Sequence, residues 1–457
     1  MAHRVVPSPR PARRRVLWVA VAVLVAVGAG LGVAVLRERP TDVAQGPADV
    51  AQGPGGDAPT RTTSEPAATA RSASASRADP DPSPGPSSPA AHPSVPGQSE
   101  ESTSVAQSTA LGDQDPPCPG VRCFSLVVTG DVLLHPPLWE QALADAGAGP
   151  DDFDFGPLLA GQTEYVQPAD LAVCHLETPL GPDGGPYRGY PSFRVPPEIA
   201  RDLAGVGYDA CSTASNHSLD DGGDGVDRTL DTLDAAGLAH AGTARSAAEA
   251  ATPTLVERAG VTVGLVSATY GLNGSPDHPD WQVQTLSTQQ ILDQAAAARQ
   301  AGAELVIVSV HAGTEYRTAP TDQQRDLAAA LLADPDVDFV AGHHAHVVQP
   351  LEQINGKWVA YGLGNTVAAH EVEDVGNREG LLVQVRFSQD EAGTWTTAEV
   401  AWVPSVVEDE KPYRWCSLVA AAGCGDPAAD AGSRARIAEA VNALGAADAG
   451  AHPVDRP

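Results

Sequence analysis

SLVVTGDVLL, residues 125–134, is the stretch on which the reading of the fold turns. Its opening run is continuous, apolar and too short for an ordinary helix, so it reads as a strand buried on both faces. It ends on Gly130-Asp131, which delivers a carboxylate where the run stops. The same grammar repeats outward along the chain. Residues 171–176 run into Glu177, residues 208–213 into Ser215-Asn216-His217, and residues 305–310 into His311. Residues 337–341 lead into Gly342-His343-His344-Ala345-His346. Between these runs, helical patterns fall near 138–146, 157–166, 197–205, 224–236, 288–301 and 322–333, with a hairpin of 254–257 and 261–269. Later strands near 351–354, 358–361, 381–387 and 397–403 read as antiparallel. Strands alternating with helices predict an α/β architecture, to which the late strands add an antiparallel edge or a second sheet.

Position carries the functional signal, because sites in open α/β sheets form at the carboxyl ends of strands. Asp131, Glu177, Asn216, His217, His311, His344 and His346 each come after an apolar run. Singly, each has an ordinary explanation: an Asp or Asn after a strand is often a helix N-cap, and a lone His is most often a hydrogen-bonded structural residue. Together they offer carboxylate oxygen, amide oxygen and imidazole nitrogen, the donor set of a hard or borderline divalent ion. His344-x-His346 is the most specific piece. Alternate residues of an extended segment cannot share a ligand unless the backbone turns, and Gly342 would permit that turn.

Composition divides the 457 residues unevenly. Arg4, Arg10, Arg13, Arg14 and Arg15 form a basic tail (1–15) before an uncharged stretch, 16–36. That stretch would be roughly 30 Å long as a helix, enough to cross a bilayer's hydrocarbon core. The arginine asymmetry places the N-terminus in the cytoplasm and everything after Arg37 outside. The alternative is a cleaved signal peptide, with Ala26-Val27-Gly28 as a small-residue cleavage site. Residues 37–117, rich in Pro, Ala, Ser and Gly and free of aromatics, predict a disordered linker that cannot bury enough apolar surface to offset its ordering entropy. The globular part is expected over 118–410, with a C-terminal extension over 411–457. A formal net charge of −30 argues against a nucleic-acid partner.

An outside location permits disulfides. Cys118 and Cys123 flank the start of the folded region, and Cys416 and Cys424 its end, either as two local loops or as two staples joining the ends. Cys174 and Cys211, inside strand-like runs, read as buried thiols or a bridge between neighbouring strands rather than as nucleophiles.

The blocks GDVLLH (130–135), HLETPL (175–180), SNHSLDDGGDG (215–225), HAGTEYRTAPTDQQRDLA (311–328), GHHAHVVQPLE (342–352) and AYGLGN (360–365) resemble, in order and spacing, the CapA-type poly-γ-glutamate synthesis family. The resemblance implies a calcineurin-like metallophosphoesterase-type layered α/β sandwich with a strand-end Asp, an Asn-His pair and a terminal Gly-His-x-His. It implies Asp131, Glu177, Asn216, His311, His344 and His346 as ligands of one or two divalent ions, with His217 and Asn216 as the catalytic pair. The chain departs from the pattern at His175, at Ser215 and at Ala312, where the family usually has Asn, Asn and Trp, and Glu177 stands in for a bridging Asp. Arg188, Arg194 and Arg317 lie in or beside family-like blocks and are candidates to bind a carboxylate or phosphate substrate. No GxxxxGK[ST] loop and no GxSxG elbow occurs in the sequence. The function implied is a place in making or exporting an anionic envelope polymer, with that polymer or its precursor and membrane synthase or export subunits as partners. The alternative is a metal-dependent hydrolase of envelope phosphoester or amide bonds.

Overall fold

The computed structural model describes residues 117–147, 152–274, 277–370, 374–419 and 425–454. The basic tail, the 16–36 stretch and all but the last residue of the linker lie outside them. Among the described residues no helix is long and apolar enough to cross a membrane.

In chain order the strands are β1 (Arg122–Val132), β2 (Leu171–Leu176), β3 (Ala210–Ser212), β4 (Ala239–Ala241), β5 (Thr254–Arg258), β6 (Val261–Thr269), β7 (Leu305–His311) and β8 (Phe339–His343). They continue as β9 (Leu351–Ile354), β10 (Lys357–Ala360), β11 (Asn365–Val367), β12 (Glu379–Gln389), β13 (Trp395–Val407), β14 (Trp415–Ser417) and β15 (His452–Pro453). The first sheet runs β14-β13-β12-β1-β2-β3-β4, with β11 on β1 and β15 on β13; the second runs β5-β6-β7-β8-β10-β9. Within the first sheet β1 to β4 are parallel, and β12, β13 and β14 are antiparallel. In the second, β6, β7 and β8 are parallel and β5 closes a hairpin on β6.

Side-chain alternation explains why these strands read as unbroken apolar runs. On β1, Leu126 and Val128 belong to one core with Val263, Ile307 and Phe339 of the second sheet, whereas Val127 packs with helical residues such as Leu203 and Leu230. On β7, Leu305 and Ile307 face the first sheet while Val306 and Val308 pack against Leu327 and Leu331. The central strands of both sheets are therefore buried on both faces, giving four layers: helices, sheet, sheet, helices. Stacking two sheets with one apolar face each inward, and covering the outer faces with helices, is what a chain with no polar strand face requires.

The helices α1 (Pro136–Ala146), α2 (Gly156–Leu159), α3 (Thr163–Val166), α4 (Glu198–Val206) and α5 (Gly222–Ala236) precede the short α6 (Ala247–Ala250). Later come α7 (Thr288–Gln300), α8 (Asp322–Ala333) and α9 (Pro427–Asn442). The single helix expected over 157–166 is instead α2, a 3-10 turn at Ala160–Gln162 and α3. The break brings the buried Gln162 Oε1 within 2.6 Å of the Tyr208 hydroxyl. Residues beyond 410 enter the same layers: β14 extends the first sheet, and Ile437 and Val441 of α9 sit in the inter-sheet core.

Cys118 is bonded to Cys123 and Cys174 to Cys211. The second bridge joins residues opposite each other on β2 and β3, so the structural alternative for these two cysteines holds. Cys416 is also disulfide-bonded; Cys424 lies outside the described residues.

Candidate metal centre

The parallel strands of both sheets end in one place. Asp131 on β1 stands opposite His175 on β2 and Asn365 on β11, and His311 on β7 stands opposite His343 on β8. Strand register thus stacks a carboxylate, an amide and three imidazoles before any loop contributes. All five are buried.

Asp131 is the hub. Its Oδ1 lies 3.2 Å from His343 Nδ1, its Oδ2 accepts from the His344 backbone amide at 3.2 Å, and the same Oδ2 lies 3.1 Å from His346 Nδ1. Three groups have donor atoms within 4.8 Å of one another: Asp131, His175 and His343; Asp131, Glu177 and His346; and Glu315, His344 and His346.

The turn that lets His344 and His346 converge corrects the expectation placed on Gly342. His344 (φ 83°) and His346 (φ 55°) themselves occupy the left-handed region. Gly342 is needed for a close approach: a Cβ there would lie 2.0 Å from the Tyr361 carbonyl oxygen, just as one on Gly130 would lie 2.1 Å from that of Gly364. Two non-glycine residues with positive φ on either side of Ala345 store backbone strain, which the surrounding hydrogen bonds must hold. Part of that hold comes from the 311–320 loop, where Tyr316 N donates to Ala345 O at 2.8 Å and Gln349 Nε2 donates to Arg317 O at 2.7 Å. Gln349 is in turn fixed by Gln324, the N3 residue of the α8 capping box with Thr321.

His217 and Asn216 lie beside this cluster. Asp220 Oδ2 is 2.6 Å from His217 Nδ1, which leaves Nε2 as the nitrogen able to exchange a proton, and Phe193 meets the ring edge-on at 4.9 Å. Asn216 donates to Asn273 Oδ1 at 3.2 Å and accepts from His311 Nε2 at 2.7 Å.

Burial sets the protonation of the group. It pushes the Glu177 carboxyl up to about 7, with His346 opposing and Asp131 adding. For His346, burial opposes the cation most strongly, but Glu177 and Asp131 outweigh it and hold the ring up at about 10. Burial brings His344 down to about 4 and lowers His175 and His311 well below the usual range. Asp131 stays well below the usual carboxylate range: burial works against this, and the hydrogen bonds of His343 and His346 overcome it. Neutral imidazoles facing buried carboxylates are the state a divalent ion requires, and an ion would take the place of the His346 proton.

The residues fit a metal on an independent ground. Both Glu177 carboxylate oxygens and His344 Nδ1 are buried without a hydrogen-bond partner. The His346 ring, with Nε2 3.7 Å from Glu177 Oε1, balances the charge without reaching hydrogen-bond distance; buried carboxylate oxygens left without a hydrogen bond are costly, and a coordinated cation satisfies them. The buried His/Asp/Glu groups are consistent with a metal site, and their mixed oxygen and nitrogen donors suit a hard or borderline divalent ion.

Of the residues singled out in the sequence, Asp131, Glu177, His344 and His346 are brought into these groups. His311 Nε2 comes within 3.9 Å of Glu177 Oε1 but is bonded to Asn216. Arg188 and Arg194 are held on Asp221 together with Arg228, next to the Asp220 that pairs with His217. Arg317 is exposed on the 311–320 loop. His175, His343, Glu315 and Asn365 carry no mark as ligands in the sequence; the register of β1 against β2 and β11 brings in His175 and Asn365, that of β7 against β8 brings in His343, and Glu315 comes from the loop after β7.

The profile of the family described as bacterial capsule synthesis protein PGA_cap matches residues 125–370, more than half of the chain. The chain belongs to this family. It is 30% identical over 235 residues to a "probable polyglutamine synthesis accessory protein" of Mycobacterium tuberculosis, covering 48% of this chain and 60% of the relative. It is 28% identical over 211 residues to the PGA biosynthesis protein CapA of Bacillus subtilis, covering 44% and 53%. The match thus spans little more than half the length of these relatives. Among solved structures, a calcineurin-like phosphoesterase, YfkN of Bacillus subtilis, aligns at 15% identity over 62% of this chain and 90% of its own, with a TM-score of 0.39. A phosphatase of Mycoplasma pneumoniae aligns at 14% identity over 64% and 96%, also with a TM-score of 0.39. The two-sheet architecture described above stands on the strand topology and not on these alignments.

Proposed function

We propose that the protein works in the synthesis or export of an anionic envelope polymer, poly-γ-glutamate or a related chain, at the outer face of the membrane. The family match over residues 125–370 carries this reading. The uncharged 16–36 stretch with its basic flank supports a single-pass anchor with the N-terminus inside, and the disulfides support an extracytoplasmic location. Membrane synthase or export subunits are the partners this placement calls for.

A second reading, a metal-dependent hydrolase of phosphoester or amide bonds in envelope material, is favoured by the buried Glu177 carboxylate, which makes no hydrogen bond amid convergent histidines. A divalent ion bound there supplies Lewis acidity toward a phosphoryl or acyl oxygen. The chain's own contribution is His217, oriented by Asp220 so that Nε2 can pass a proton to a leaving group. The test is complementation of a deletion strain, read as envelope glutamate released by acid hydrolysis. Restoration by the wild type but not by His346→Ala supports a working site. Equal restoration by both supports an accessory role without turnover, and an unchanged polymer content in the deletion strain refutes the polymer assignment.

A further inference from the structure

The loop after β6 lies against the metal centre and brings to it a side chain that carries no mark in the sequence. Tyr270 N donates to His311 O at 2.8 Å, and the Tyr270 ring meets that of His344 at 4.5 Å. Three residues on, Asn273 N donates to Asn216 O, also at 2.8 Å. The loop is thus tied at two points to candidate ligands, and Asn273, exposed to solvent, stands beside His217.

The neighbours of the Asn273 amide settle which way it faces. His311 Nε2 donates to Asn216 Oδ1 at 2.7 Å, so Asn216 offers its Nδ2 to Asn273 Oδ1 at 3.2 Å. Asn273 therefore turns Nδ2 toward His217, 3.2 Å from Nδ1 and 3.4 Å from Nε2. Neither ring nitrogen takes up its N–H groups. His217 Nδ1 holds a proton against Asp220 and cannot accept, and a nitrogen almost equidistant from both ring nitrogens lies along the lone pair of neither. His217 Nε2 and Asn273 Nδ2 are accordingly two donors 3.4 Å apart, and an oxygen hydrogen-bonded to one is within reach of the other.

Two adjacent donors select the leaving atom. An ester oxygen has two lone pairs, so it can take the His217 proton on one and accept from Asn273 on the other while its bond breaks. The nitrogen of an amide leaves a tetrahedral intermediate with a single lone pair, which the proton occupies until the bond has broken. The Asn273 N–H would then face an atom that cannot accept.

We propose that Asn273 is a catalytic residue which, with His217, clamps the leaving oxygen of a phosphoester, and that the bond cleaved is not an amide. This rests on the hydrolase reading of the site. In the step, the P–O bond breaks with its electron pair on the leaving oxygen. His217 Nε2 gives that oxygen its proton while Asn273 Nδ2 donates a hydrogen bond to it. A water oxygen bonds to phosphorus, and the proton the water loses passes to solvent, from which His217 is reprotonated.

The experiment compares phenyl phosphate with 4-nitrophenyl phosphate as substrates of the full chain loaded with manganese. 4-Nitrophenolate, a weak base, departs without a proton; phenolate needs one. Asn273→Ala and His217→Ala are each expected to lower kcat/KM at least about tenfold more on phenyl phosphate than on the nitrophenyl ester. Asn273→Asp, which keeps an oxygen for Asn216 but has no N–H for the leaving group, should behave as Asn273→Ala does. Both Asn273 variants should retain manganese, by elemental analysis, as the wild type does. An equal effect on the two esters, full activity of Asn273→Asp, or loss of manganese would make Asn273 a brace for Asn216 and overturn the clamp, with the hydrolase reading left standing. Hydrolysis of γ-glutamyl-4-nitroanilide and of neither phosphoester would overturn the choice of bond. A wild-type chain that hydrolyses none of the three would refute the hydrolase reading and the clamp with it.

Discussion

His311 donates from Nε2 to the amide oxygen of Asn216 across 2.7 Å, and its Nδ1 faces Nε2 of His175 at 2.9 Å. With both rings neutral, the polarity of this chain is fixed. His311 Nδ1 must accept from His175 Nε2, and His175 Nδ1, 2.8 Å from Ser212 Oγ, must accept from that hydroxyl. The Asn216 amide oxygen therefore sets the tautomers of two buried histidines, and one hydroxyl on β3 completes the chain as its terminal donor. The His175 ring also stacks on His343 at 4.0 Å, so its orientation propagates to Asp131.

Removing that hydroxyl should loosen the site without unfolding the protein. Ser212→Ala is expected to weaken divalent-metal affinity about tenfold, at the low end of the effects of outer partners on ligating histidines. The loss of one buried hydrogen bond should cost only about 1 kcal/mol of stability. Metal titration and thermal melts on the same sample check both halves.

Glu177 makes the opposite trade. Its carboxylate oxygens make no hydrogen bond, have only the His346 ring at 3.7 Å to balance their charge, and burden the metal-free fold until a cation coordinates them. Glu177→Gln should melt at or above the wild-type temperature in chelator and lose most of the rise that added manganese or zinc gives the wild type. A large fall in the chelated melting temperature would mean that the carboxylate is structural.

His344 and Leu305 should separate site from core. Leu305 is fully buried between the sheets, and truncation to Ala should cost about 2–5 kcal/mol with metal affinity retained in the folded fraction. His344→Ala should lose metal affinity with a smaller stability change. Because φ is 83° at this position, His344→Gly should be more stable than His344→Ala by roughly 1 kcal/mol. Equal stability of the two would argue that the turn carries no strain.

The Cys174–Cys211 bridge lies one residue before His175 and Ser212. Closing a loop with a sequence separation of 37 is worth up to about 4 kcal/mol in the chain-entropy account. The double Cys174→Ala, Cys211→Ala variant should therefore lose about 2–4 kcal/mol in denaturant melts, with metal affinity falling as the two strand ends loosen. An unchanged midpoint would place the bridge outside the stability of the fold.

Much of the fold is legible in the sequence because the strands are buried on both faces. β1, β2 and β7 announce themselves as continuous runs, and each run leads into a site residue. β4 and β11, three residues each, give no such signal, and α9 is rich in alanine with its apolar residues spread around the helix, so neither period shows. Asp131, Glu177, His344 and His346 can be found by position alone. His175 and Asn365 cannot, since they join Asp131 only through strand order, and a chain gives no local mark of which strands are neighbours. Arg188 and Arg194 look available because nothing in their own segment pairs with them; Asp221, which claims both, lies 27 residues or more along the chain.

Metal content tests the central claim most directly. The full chain, exposed to manganese or zinc, desalted and assayed by elemental analysis, should retain at least one ion per chain, and His346→Ala, which removes a donor common to two of the three groups, should retain little. A wild-type protein that holds no ion, or a His346→Ala variant that holds as much as the wild type while remaining folded, would contradict the account.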